Sequence, residues 1–123
     1  LLAGLAGSTL GAAPETRMLS GQVTDTTQDL TAAARFELTL DGDRIRGFFA
    51  AEAPFPAGRW AIEGTRRGAW CEIVCQTTPT TRLIFRGLLS ATELRGTYIS
   101  GGGGELVHYG RFRASVAAIT KEL

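Results

Sequence analysis

The sequence is poor in the residues that build metal and redox centres: of 123 residues, two are cysteine and one is histidine. His108 lies far along the chain from Cys71 and Cys75, and the three together fall short of the four ligands a structural zinc site needs. No metal and no cofactor is expected. An excess of charge is missing too, because thirteen basic side chains stand against twelve acidic ones. A chain so balanced carries no overall field that would make nucleic acid or an anionic membrane its principal partner. The four consecutive glycines at 101–104 are followed by Glu105 and not by a Lys-Ser/Thr pair at a helix start, which excludes a phosphate-binding loop. There is no nucleophile elbow, zinc motif or pair of inward carboxylates, and an enzyme is not expected.

Long apolar runs are absent as well. The longest candidate, "LLAGLAGSTLGAA" at residues 1–13, is uncharged and rich in small residues but too short to span a bilayer. It reads as a signal-peptide remnant, which would make the protein exported, periplasmic or extracellular, or else as an apolar N-terminal segment that docks on a partner or membrane, or a poorly packed tail. The rest of the chain, 14–123, is long enough for one domain with a modest core. Cys71 and Cys75 in "AWCEIVCQT" are separated by four residues, about 13 Å along a straight strand. A disulfide tolerates a Cα separation of only about 7 Å. Bonding the two requires a bend within "CEIVC", and the alternative is two buried thiols.

What the sequence does have is alternation with period two, interrupted by turn residues every eight to twelve positions. "ARFELTL" sets Phe36, Leu38 and Leu40 on one face, and "DGD" at 41–43 turns the chain into "RIRGFFA". A loop "EAPFPAG" precedes "RWAIEGT"; after the cysteine segment, "TTPTT" leads into "RLIFRGLL". "ELRGTYIS" and "LVHYGRFRA" are joined by the glycine run as a hairpin, with Tyr98, His108 and Phe112 facing inward. These segments predict about eight strands near 19–26, 33–40, 44–51, 59–66, 69–77, 82–90, 94–100 and 106–114. Residues 114–123 offer at most one helical turn.

"RIRGFF", "IFRGLL" and "ELRGTY" each place an outward arginine before an inward glycine. Inward glycines let a sheet coil tightly, as closure into a small barrel demands. The fold expected is therefore all-β, a single antiparallel barrel of about eight strands. In general shape this resembles lipocalin-like and avidin-like barrels, the calycin form. The early Gly-x-Trp signature of those families is absent, Trp60 being mid-chain, so no function or binding residue is carried over from them.

Two function classes follow. In one, a non-catalytic exported barrel binds a small apolar or lipid-like molecule in a cavity lined by Trp60, Phe85, Tyr98, His108 and Phe112. The same aromatics serve equally as a filled core, and His108 as a core imidazole; a catalytic role would need Ser100 and Glu105 across the glycine tip. In the other class, a filled barrel is an accessory or interaction subunit of a larger assembly, membrane-associated or not. It would present Phe55, in its loop between two prolines, and an outward arginine set: Arg44, Arg46, Arg82, Arg86, Arg95, Arg111 and Arg113. Those arginines can equally face solvent and cross-strand carboxylates such as Glu37, Glu63 and Glu72. Few outward aromatics interleave with them, so nucleic acid is not the expected partner.

Overall fold

The computed structural model describes residues 13–53, 55, 57–102 and 105–116. Eight strands follow in chain order: β1 (Glu15–Asp25), β2 (Leu30–Asp41), β3 (Arg44–Ala51), β4 (Gly58–Arg67), β5 (Trp70–Gln76), β6 (Arg82–Leu89), β7 (Glu93–Gly102) and β8 (Glu105–Val116). Each pairs antiparallel with the next, and β1 closes the barrel on β8 with Val23 opposite Phe112. The described residues contain no helix, and 114–116, read as the start of a helical turn, instead continue β8 against β1. Residues 1–12 of the apolar N-terminal stretch, Pro54, Pro56, Gly103, Gly104 and 117–123 lie outside the described residues.

Alternation places the apolar members of each strand inside. Leu19, Phe36, Leu38, Ile45, Ile73, Phe85 and Leu94 are all at most 1% exposed. Cys71 and Cys75 flank Ile73 on the inner face of β5 as free, buried thiols; the strand between them is uninterrupted, without the bend a disulfide would need. Burial pushes both thiols up to about 11.

Glycine makes the corners. At Gly47 the chain has a φ of 150°, and a Cβ there would overlap the Glu37 carbonyl oxygen of β2. Gly87 and Gly96 face one another across β6 and β7; a side chain on either would run into the other strand's backbone. These close approaches let eight strands curl into a narrow cylinder.

Inward-apolar and outward-charged is the reverse of a lipid-spanning barrel, whose outer face carries an apolar band. Here arginines such as Arg46, Arg86, Arg95 and Arg111 stand on the outer face along the strands.

Four rings fill the barrel's middle. Phe36 packs on Phe49, Phe85 and Phe112 at centroid distances of 5.1, 5.2 and 5.6 Å, and Phe85 meets Phe49 and Phe112 at 5.0 and 5.2 Å. Leu38, Leu40, Ile45, Leu89 and Leu94 fill the end that carries the β2–β3 and β6–β7 turns. The other end, where β1–β2, β3–β4, β5–β6 and β7–β8 are joined, is open.

Candidate functional site: the open barrel mouth

The open end holds a cavity of about 470 Å³, within the range of small-molecule pockets. Its apolar wall is Leu30, Phe49, Ala51, Phe55, Trp60 and Leu83, and its polar groups include Asp25, Gln28, Thr81, Tyr98, Ser100 and His108. Trp60, the third residue of β4, is half-buried and stacks on Phe49 at 6.1 Å with an interplanar angle of 22°. Phe55 sits in the β3–β4 loop, held by a turn in which its amide donates to the Glu52 carbonyl at 3.1 Å, and packs against the core from the rim.

Of the five residues predicted to line a cavity, Trp60, Tyr98 and His108 do so. Phe85 and Phe112 are buried in the ring layer beneath, at 1% and 3% exposure, and form the floor's packing instead of its surface. Parity puts all five inside but does not give their height along the barrel axis. The barrel is thus filled below and hollow above.

Asp25 is the residue that sequence reasoning missed. It ends β1 with its side chain 8% exposed, and its Oδ1 accepts from the Thr27 amide at 2.9 Å, the Gln28 amide at 3.3 Å and the Thr27 hydroxyl. Those bonds cap the β1–β2 turn, in which Asp29 takes the left-handed conformation at φ 55°. Its Oδ2 faces His108 Nδ1 at 3.4 Å. The same Nδ1 is 3.1 Å from Thr27 Oγ1 and 3.3 Å from Gln28 Nε2, so the turn holds the imidazole in place. The signal was present: alternation from Leu19 through Gly21 and Val23 carries Asp25 to the inner face.

Tyr98 is 4% exposed, and its buried hydroxyl has no hydrogen-bond partner. Burial first, and the nearby Asp25 carboxylate second, push its phenol well above the ordinary tyrosine range. A polar atom left unmatched in such surroundings costs about 1–3 kcal/mol.

Ser100 stands opposite His108 in the β7–β8 register. With Asp25 also beside the imidazole, the three residue types of a hydrolytic triad adjoin, yet among the described residues the His108 ring bonds Thr27 and Gln28 side chains and not the Ser100 hydroxyl. The acid beside His108 is Asp25; the Glu105 side chain considered for that role lies outside the described residues. Of the glycine run expected to form a hairpin tip, Gly101 and Gly102 end β7, with a register shift between Ser100 and Gly102 and with Gly102 opposite Glu105; Gly103 and Gly104 lie outside the described residues. A Cβ on Gly102 would overlap the Thr80 carbonyl oxygen, so β7 leans directly on the β5–β6 loop at the rim.

The outward arginines are all exposed. Arg86 pairs with Glu72 at 2.6 Å, while Arg113 and Arg95 share Glu93 at 2.5 and 3.4 Å. Glu37 pairs with Arg59 at 3.2 Å, and Glu63 faces Arg46 in register without an ion pair. Arg44, Arg46, Arg82 and Arg111 make no ion pair among the described residues. A shallow outer groove of about 670 Å³ runs between Arg86, Arg95, Arg111 and Arg113. Trp70 and Leu88, register partners exposed by 51% and 45%, lie in it.

Comparison of the chain with protein-family models and with curated proteins finds no match to either.

Proposed function

We propose that this protein is a non-catalytic binding barrel that holds one small, largely apolar molecule in its open mouth. The observation that carries the reading is the cavity itself: about 470 Å³ walled by Phe49, Phe55, Trp60 and Leu83 above a close-packed ring layer, with the Tyr98 hydroxyl buried and unmatched at its side. Apolar walls supply affinity, and a few fixed polar groups supply orientation. The floor makes the pocket blind, so a ligand enters and leaves by the rim formed by the four connections. Export remains part of the proposal on the composition of residues 1–13 alone, and cell fractionation tests it.

The experiment is native mass spectrometry of the protein isolated gently from its own cells. A small-molecule mass on the isolated chain is the expected result. A bare chain that also fails to take up any apolar probe at millimolar concentration would end this reading.

One observation favours a second role. Trp70 and Leu88 lie open to solvent among four arginines, a combination suited to an acidic protein partner with an apolar anchor. An accessory subunit would be recovered from cells within a larger complex, and Trp70→Ser with Leu88→Ser would release it.

A further inference from the structure

The mouth carries a carboxylate among neutral polar groups and one imidazole. Among the described residues, Asp25 is the only acidic one lining the cavity, and no arginine or lysine lines it. Turn-capping accounts for Oδ1, which is saturated by three donors. It does not account for Oδ2, which faces His108 Nδ1 at 3.4 Å, with the Tyr98 hydroxyl also beside the carboxylate. The Tyr98 hydroxyl, buried with this carboxylate as its nearest acceptor, keeps oxygen lone pairs that no donor meets. Around these two acceptors stand the rings of Phe49, Phe55 and Trp60, whose faces attract a positive charge.

We propose that the ligand is an aromatic or aliphatic amine, a compact apolar body carrying a protonated nitrogen, with its N–H groups directed at Asp25 Oδ2 and the Tyr98 oxygen and its body against Trp60 and Phe49. This deepens the binding-barrel reading and rests on it. A fatty acid or other carboxylate would set its own charge against Asp25 in a site largely shielded from water, where like charges repel more strongly than in solution. A neutral alcohol would fill the apolar walls equally well but leave Oδ2 without a charged partner.

The test uses three probes sharing one apolar body, naphthylethylamine, naphthylethanol and naphthylacetate, titrated calorimetrically into the full chain at pH 8. The amine is expected to bind at least tenfold more tightly than the alcohol, with the acetate weakest. In Asp25→Asn, which keeps an oxygen to cap the β1–β2 turn, the advantage of amine over alcohol should fall below about threefold while alcohol affinity holds. The ranking on the unaltered protein decides the matter even if that variant does not fold. Alcohol or acetate binding as tightly as the amine would overturn the amine assignment and leave the pocket reading standing. Failure of all three would overturn both.

Discussion

Removing one ring from the floor should cost far more than removing one from the wall. Phe85 is 1% exposed and touches four rings, Phe49, Phe36, Phe112 and Tyr98, at 5.0, 5.2, 5.2 and 6.1 Å. Its neighbours come from four other strands and cannot all move inward, so Phe85→Ala leaves a void and should destabilise by about 3–5 kcal/mol. Trp60 is half-buried, has one ring partner, and borders a space that is already empty. Trp60→Ala should therefore cost only about 1–2 kcal/mol, the smaller part of a full burial term. In urea, with a slope of about 2 kcal/mol per molar, the two differ by roughly 1 M in midpoint. Both midpoints should be read by far-ultraviolet circular dichroism, because Trp60 is itself a fluorescent reporter. The ligand responds in the opposite order, Trp60→Ala losing affinity more than Phe85→Ala. Equal midpoints, or a larger loss at Trp60, would refute the division into a packed floor and an open wall.

Three further outcomes are expected. Gly87→Ala should lose about 3 kcal/mol or fail to fold, because its Cβ would meet the backbone of Arg95 and Gly96. Gly42→Ala, at φ 64° in open space, should lose about 1–2 kcal/mol, and equal thermal midpoints would disprove the close approach of β6 and β7. The Cys71 and Cys75 thiols, raised from 9.0 to about 11, favour the neutral form when folded. Their contribution is complete below pH 9 and is lost as pH climbs toward 11, with Tyr98 adding its own loss above about 10. Stability measured across that window should decline less steeply in the Cys71→Ala, Cys75→Ala double variant; an unchanged slope would show that the thiols are not shielded. Trp70→Ser and Leu88→Ser should each leave stability within about 0.5 kcal/mol of the unaltered chain, since both side chains are exposed, and a larger loss would mean that they pack on the barrel.

Alternation made the strands legible, and the repeated Arg-Gly steps made closure legible, because both follow from which side of a strand a residue faces. The start of β1 was missed since Glu15, Thr16 and Arg17 carry no apolar member to mark a strand; pairing with Leu40, Thr39 and Leu38 makes them one. Height along the axis was not legible either. Phe85 and Tyr98 are register partners, yet Phe85 lies in the ring layer while Tyr98 reaches the cavity. Strand tilt and stagger decide that difference, and they belong to the whole barrel and not to any one segment. Asp25 was hidden for another reason. A carboxylate next to "TTQD" looks like turn chemistry, and it is, but Asp25 also lines the cavity, with its second oxygen turned to His108.

The same geometry separates what holds the barrel together from what the mouth can recognise. Below the rings, Leu38, Ile45, Ile73 and Leu94 are buried by at least four different strands, so the fold's stability rests on contacts that no ligand touches. Above them, Asp25, His108 and Gln28 are tied to one short turn, Phe55 to one loop, and Thr81 to another. Substitutions at the rim can therefore change which molecule fits while the ring layer keeps the cylinder closed. Asp25 alone belongs to both halves, through Oδ1 to the turn and through Oδ2 to the cavity. It follows that Asp25→Ala should lower stability and ligand affinity together, whereas Asp25→Asn should divide them, and that division is the signature of a residue with two separate tasks.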